Sequence, residues 1–361
     1  MRNILIVSSY SVHLKRFLLG LQSLNIDYYL ITNKKPDFVE ASKCLIVNFS
    51  FFSIFSIMKM VIKFIRLRPK VIHIHQANSV AFNAIIAKSI SFIKSKIILT
   101  TWGSDILILP HKTFLLNCIV KFNLMASDII TADAQHILNE IMRITKYKLD
   151  NDFLKLINFG VNIIPFDHDI ISSKEDIILS VRLHKKLYNI DKIIVAFNEA
   201  MTKRLIPASY KLIIVAAGEE SHSLKLLAKS CKYANKIKFT GMIDFQQLVE
   251  YYKAAKIMVS IPSSDASSSS LLEAMLYGCI PVVSNLEANQ EWIHHANNGF
   301  LCSLKNNINM NLIEALQSAC VIGSNQQKLQ CIYNKNYNIV ATKANYKHNM
   351  KKFVQIYQVM L

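Results

Sequence analysis

An alternation repeated twice along this 361-residue chain constrains its fold most: short apolar, β-branched runs, each followed by a stretch with helical spacing. ILIVSS, YYLIT, VIHIH, KIILTT and DIITA succeed one another up to residue 132, separated by helical segments, the first from about His13 to Ser23. DIILSVR, YKLIIVAAG, IKFTG, IMVSI and IPVVS repeat the scheme from 176 to 284, with helices expected near 189–203, 222–233, 245–255 and at Leu271–Leu276. Uninterrupted apolar runs suit strands buried on both faces, as in a parallel sheet covered by helices. The pattern predicts an α/β protein with two doubly wound parallel-sheet domains, and the length also suits two domains. Pro165 and Asp167 break the pattern, placing a linker near 163–174 and the domains at 1–165 and 166–339.

Composition narrows the function classes. No apolar run reaches the roughly 18 uncharged residues of a membrane span, and MRNILIVSSYS reads as a first strand because no small-residue cleavage site follows it. None of the eight glycines forms G-x-G-x-x-G, which argues against a dinucleotide-dependent dehydrogenase. The seven cysteines are scattered, without zinc-site or disulfide spacing, so a reduced, cytoplasmic setting is expected. Asp167-His168-Asp169 has an Asp-x-Asp form but sits in the expected linker with no third ligand in register, so no metal site is assigned.

Net charge is +18, more than half of it within the first 160 residues. Such an excess favours phosphate-rich partners. In FFSIFSIMKMVIKFIRLRPK, residues 51–70, Lys59, Lys63, Arg66 and Lys70 line one helical face opposite Phe, Ile, Met and Val. That form fits an anionic inner-membrane surface, with a sheet-covering helix that has a solvated basic edge as the plain alternative. No nucleic-acid motif accompanies it.

The stretch KIMVSIPSSDASSSSLLEAMLYGCIPVVSNLEANQEWI carries the chemistry. A strand leads through a serine-rich turn into a helix bearing Glu273, which Gly278 ends before another strand. First-turn N–H groups and serine hydroxyls at Ser268, Ser269 and Ser270 favour a phosphate there, and Glu273 suits a ribose diol. A Ser-capped surface helix is the competing reading.

This segment resembles the nucleotide-binding signature of retaining glycosyltransferases of family four, which have the GT-B fold: two Rossmann-like domains with a cleft between them. Glu273 matches the second glutamate of that signature, and Asp265 stands where the first is usual, as in a subgroup of surface-polysaccharide and O-antigen assembly. VIHIHQAN (71–78), TTWGSDIL (100–107), INFGVN (157–162), ILSVRLHKKLYNID (178–191) and IKFTGMID (237–244) extend the resemblance over most of the chain.

The resemblance implies roles for particular residues. Arg182, at a strand end, would hold the leaving diphosphate. The lysine that usually follows is missing, so Lys185 or Lys186 substitutes for it or the serine amides carry the load. Donor contacts would come from Arg182, Lys186, Gly241, Asp265, Ser268, Ser269, Ser270, Leu271, Leu272 and Glu273, with Asp265 at the sugar hydroxyls. Acceptor contacts would come from His13, His75, Trp102, Asp105, Asn289 and Glu291, and Asp105 would orient the acceptor hydroxyl. Each has a plain alternative: hydrogen-bonding histidines, a core tryptophan, a capping aspartate. The 340–361 tail, with Phe353, Ile356, Tyr357 and Leu361 at helical spacing, would return to the first domain.

These features point to a metal-independent transferase without cofactor. It would move a sugar from a UDP- or GDP-sugar to a lipid-linked or growing cell-surface glycan, on the cytoplasmic face of the membrane. The alternatives are a degenerate transferase serving as a nucleotide-sugar-binding assembly partner, and a GT-B sugar-nucleotide epimerase.

Overall fold

The computed structural model describes residues 3–51 and 53–361, with Asn151 described in its backbone alone. Phe52, within the expected basic segment, lies outside the described residues. The chain forms two compact units, one comprising the residues up to Phe159 together with Tyr346–Leu361, the other Gly160–Asn345.

In the first unit β1 (Ile4–Val7), α1 (Val12–Ser23), β2 (Tyr29–Thr32), β3 (Cys44–Ile46), α2 (Ile54–Leu67) and β4 (Val71–His75) come first. Then follow α3 (Ser79–Ser91), β5 (Lys96–Thr100), α4 (Ser104–Leu107), α5 (Phe114–Met125), β6 (Ile129–Ala132), α6 (Gln135–Ile144) and β7 (Leu154–Leu156). The seven strands are parallel in the order β3-β2-β1-β4-β5-β6-β7. Every residue of β1 and β4 is buried, β1 as an unbroken apolar run and β4 with His73 and His75 among its apolar residues.

The second unit runs β8 (Glu175–Ser180), α7 (Ile190–Thr202), β9 (Lys211–Val215), α8 (Ser221–Ser230), β10 (Ile237–Gly241), α9 (Phe245–Ala254) and β11 (Ala255–Ser260). It continues with α10 (Ser269–Leu276), β12 (Ile280–Ser284), α11 (Glu287–Gln290), β13 (Phe300–Cys302), α12 (Ile308–Gly323) and α13 (Gln326–Lys343). Its six strands are parallel in the order β10-β9-β8-β11-β12-β13. A last helix, α14 (Tyr346–Met360), belongs to the first unit, where Met350, Phe353 and Tyr357 join Phe17, Leu18 and Leu21 in the core. Two doubly wound parallel sheets are therefore present, as the alternation predicts.

Several boundaries differ from the sequence reading. The units divide at Phe159/Gly160 instead of near 163–174. Val161, Ile170 and Ile171 explain the shift, because at 1%, 3% and 4% exposure they are already core residues of the second unit. The tail is likewise not one helix from 340: α13 ends at Lys343, Ala344 accepts a hydrogen bond from the Val161 N–H (2.8 Å), and α14 starts afresh at Tyr346. Strands β3, β7 and β13 and helices α6, α11, α12 and α13 are additions to the expected elements, and α4 and α5 share the place of one expected helix.

One lysine fastens the second unit. The Lys174 ammonium donates to the carbonyls of Tyr252 (2.8 Å), Ala255 (2.8 Å) and Tyr277 (2.5 Å), which lie at the C-terminal ends of α9 and α10. A cation suits that place because exposed carbonyls and the negative ends of two helix dipoles converge on it. Burial pushes its pKa down, so these carbonyls are the compensation for its desolvation. Lys174→Met strands them and is expected to cost about 3 kcal/mol in chemical denaturation; a loss under about 0.5 kcal/mol would refute this role.

Candidate active site

Strands β8 and β11 are neighbours at the centre of the second sheet, with β9 on the far side of β8 and β12 on the far side of β11. The loops leaving them meet at the carboxyl edge, the place where open α/β sheets collect ligands. Arg182 stands just after β8, and Asp265 and Ser268 lie between β11 and α10. The Arg182 Nη1 donates to Ser268 Oγ (2.6 Å) and pairs with Asp265 Oδ2 (3.0 Å). Its guanidinium lies 4.3 Å over the Tyr188 ring. Burial opposes the charge, yet Asp265 and Tyr188 outweigh it and raise the pKa above its usual value.

Ser268 caps α10 by accepting from the Leu271 N–H, and its hydroxyl also meets Ser270 Oγ at 3.0 Å. A cation, two hydroxyls and the first amides of an eight-residue helix therefore converge, an arrangement that binds anions. Further along α10, Glu273 Oε2 accepts from the Tyr252 hydroxyl (3.1 Å). Burial, with Glu273 beside it, holds the Tyr252 phenol well above its usual pKa, so it stays a donor that fixes the carboxylate. Gly278, at φ 74°, ends the helix in the left-handed conformation.

In the first unit, Trp102 Nε1 donates to His75 Nδ1 (3.3 Å), and the exposed His13, at the start of α1, meets the Trp102 ring edge-on at 5.4 Å. Beneath them His75 stacks on His73 at 4.4 Å. His73 in turn bonds to Tyr357 of α14 and to Thr100, both at 2.6 Å. Burial takes His75 down to a pKa of about 3 and, with His75 adding its repulsion, holds His73 well below its usual value.

Residues 163–336 match the family described as glycosyl transferases group 1, and residues 3–134 match the glycosyl transferase 4-like family. Each unit is thus matched by a glycosyltransferase family model. The N-acetyl-alpha-D-glucosaminyl L-malate synthase of Bacillus anthracis is 25% identical over 242 residues, 65% of this chain and 61% of that protein. An uncharacterized glycosyltransferase of Methanocaldococcus jannaschii is 31% identical over 181 residues, 48% of this chain and 42% of that protein. The chain thus spans between two fifths and two thirds of the length of these relatives. Among solved structures, Anabaena Alr3699/HepE in complex with UDP superposes with a TM-score of 0.79 at 14% identity, covering 99% of this chain and all of that one. The galactosyltransferase WaaB gives 0.72 at 13% identity, with 98% and 99% covered. The two sheets form the GT-B fold of these glycosyltransferases.

Against this frame, Arg182, Asp265, Ser268, Ser270 and Tyr188 form one cluster, with Glu273 on the same helix. Ser269 opens α10, and Leu271 and Leu272 are buried behind it. Lys185 and Lys186 are exposed, and among the described residues no hydrogen bond joins either side chain to the cluster. Gly241, at φ 74°, ends β10 beside open space.

Several expected acceptor residues have other employment. Asp105, 4% exposed, accepts from the Ala77 N–H (2.7 Å) and the Trp102 N–H (2.9 Å), so its carboxylate pins two loops instead of orienting a hydroxyl. Burial raises its pKa in spite of these donors. His75 is fully buried and holds Trp102, which rules out direct acceptor contact in this arrangement. Asn289, 2% exposed, gives its amide to the Ser284 carbonyl (2.8 Å) and shapes the turn after β12. Glu291 is half-buried just beyond α11. Sequence reasoning missed Tyr252 and His73, and gave Tyr357 a packing place without its bond to His73. Only the placement of Tyr252 just before β11, sixteen residues or so ahead of the serine turn, hinted at the first.

Among the described residues no group of three or more His, Cys, Asp or Glu side chains is placed to hold a metal ion.

The buried histidines set an acid limit. Both are neutral when folded and protonate near pH 6.5 when unfolded, so acid favours the unfolded chain. Stability is expected to fall from pH 6.5 downward, towards about pH 3 for His75, by about 2 kcal/mol per histidine at pH 5. Urea titrations at pH 7 and 5 check this, and His75→Asn should flatten the dependence.

Proposed function

We propose that the chain is a retaining glycosyltransferase that moves a sugar from a UDP- or GDP-sugar onto a lipid-linked or growing cell-surface glycan. The observation that carries the reading is Arg182 meeting Ser268 at the N-terminus of α10, with Glu273 farther along the same helix. In this reading Arg182 and the α10 amides stabilise charge building on the departing diphosphate. Glu273, fixed by Tyr252, receives the ribose diol. Retention follows the family resemblance, with the donor phosphate assisting deprotonation of the attacking hydroxyl, so no metal or flanking carboxylate pair enters. UDP and UDP-glucose in the Anabaena relative support a nucleotide-sugar donor. Trp102 and His13 offer a rim on which an acceptor sugar can stack.

An acceptor held at the cytoplasmic membrane face fits the outer surface of the first unit. Ile54, Phe55, Met58, Ile62 and Ile65 of α2 are exposed, Phe55 at 86%, as are Lys59 and Arg66 on the same helix, while Lys70 lies beyond its end. Phe51, Phe82 and Phe122 continue the apolar surface across α3 to α5, with ring separations of 6.4 and 5.9 Å, and Phe114 and Leu115 stand exposed at the start of α5. Apolar side chains interleaved with cations suit an anionic bilayer surface. Lys63 is less available, as its ammonium lies 4.7 Å over Tyr29. No helix among the described residues is long and apolar enough to cross a membrane. One relative, 28% identical over 115 residues, is the alpha-monoglucosyldiacylglycerol synthase of Streptococcus pneumoniae, named for a glycolipid product.

Two experiments test these readings. Thermal melts with UDP-, GDP-, ADP- and dTDP-sugars should show selective stabilisation, about 2.7 kcal/mol at a hundred times Kd, lost in Glu273→Ala. No shift with any nucleotide sinks the donor reading, and stabilisation without transfer to crude lipid acceptor favours a nucleotide-sugar-binding assembly partner. Sedimentation with phosphatidylglycerol vesicles should weaken about tenfold in Phe55→Ser and again in Lys59→Gln with Arg66→Gln. Unchanged sedimentation would remove the membrane from the account.

A further inference from the structure

The carboxylate nearest Arg182 already has that arginine as its partner. Asp265 Oδ2 lies 3.0 Å from Arg182 Nη1, and its Oδ1 accepts from the Ala266 N–H at 3.1 Å. The pair is shielded, with the two side chains 12% and 15% exposed, so their attraction is weakly screened. The same Nη1 touches Ser268 Oγ at 2.6 Å, which puts any anion on the α10 amides within reach of Arg182 and close to Asp265. Two like charges then face one cation.

Resting on the donor reading above, we propose that Asp265 is a built-in rival of the donor diphosphate. Its carboxylate holds Arg182 between turnovers and reclaims it as the nucleoside diphosphate departs. The surroundings favour this competition. Asn189 Nδ2 donates to the Ile261 carbonyl (2.8 Å) and Ser263 Oγ (3.0 Å), and the Ser263 N–H donates to the Leu187 carbonyl (2.9 Å). The loop that carries Asp265 is thereby tied to the loop that carries Arg182, and the carboxylate stays close to the incoming charge. Tyr188 beneath the guanidinium and Ser268 at its tip keep Arg182 oriented without Asp265. Neutralising Asp265 therefore strengthens the pull on the diphosphate without releasing the arginine.

Calorimetric titration of the full chain with UDP and with GDP, which lack the sugar, tests the inference. Asp265→Asn should bind the preferred nucleotide about tenfold more tightly, with slower dissociation in stopped flow. Asp265→Glu, which keeps the charge, should restore affinity near that of the wild type. On an Arg182→Ala background the tightening should vanish. A carboxylate serving sugar hydroxyls would leave UDP and GDP affinity unchanged, and a merely structural one would weaken it; either result overturns the inference while the donor reading stands. Binding of neither nucleotide by the wild type and every variant overturns the donor reading and this inference with it. Asp265→Ser gives the same comparison should the Asn variant fail to fold.

Discussion

Asn189 is the joint on which the chemistry of the second unit depends. Its backbone takes the left-handed conformation, φ 50°, which asparagine tolerates better than most residues, and its side chain is thereby aimed across to the neighbouring loop. One loop brings Arg182 and Tyr188, the other Asp265 and Ser268, and neither alone makes an anion site. Adjacent parallel strands β8 and β11 set the loops side by side, and the Asn189 amide fixes how they meet. The cluster is thus a product of sheet topology and one backbone conformation, with the charged residues as its outcome.

The fold was legible because burial on both faces forces parallel strands to be apolar throughout. β1 announces itself this way, as do residues 177–179 of β8 and 257–259 of β11, while β4 carries His73 and His75 among its apolar residues. The strands that escaped notice, β3, β7 and β13, are three residues long and at sheet edges, and the first two are half-exposed, so they carry no such signature. Pro165 and Asp167 look like a linker yet lie inside the second unit, because breakers mark irregular backbone and not the end of a core. Helix α2 shows the converse difficulty. It holds more apolar side chains than its packing against α3 can hide, so Ile57, Met60, Val61 and Phe64 go inward while Phe55 and Ile62 stay out. A hydrophobic pattern on its own did not say which.

The candidate site divides in the same manner. Residues whose role comes from their own helix were readable: Ser268 as cap, Glu273 on α10, Gly278 as terminator. Polar residues near strand ends were not, since their direction is set by partners far away in sequence. Asp105 turns to the amide of Ala77, His73 to Tyr357, and Glu273 is met by Tyr252. Each of these pairings appears only when distant segments are brought together, which is why a motif locates the site but does not apportion its contacts.

Helix α14 has an effect on the timing of assembly. Phe353 and Tyr357 complete a core that begins with Ile4, and Tyr357 supplies a partner for the buried His73. Those residues leave the ribosome after the whole of Gly160–Asn345, so the unit whose synthesis begins first is the last to be finished. Until then Phe17, His73 and Met350's neighbours on α1 lack their cover. A nascent chain of this protein holds an open apolar groove throughout translation of its second unit, a natural stopping place for a chaperone and a vulnerable one for aggregation.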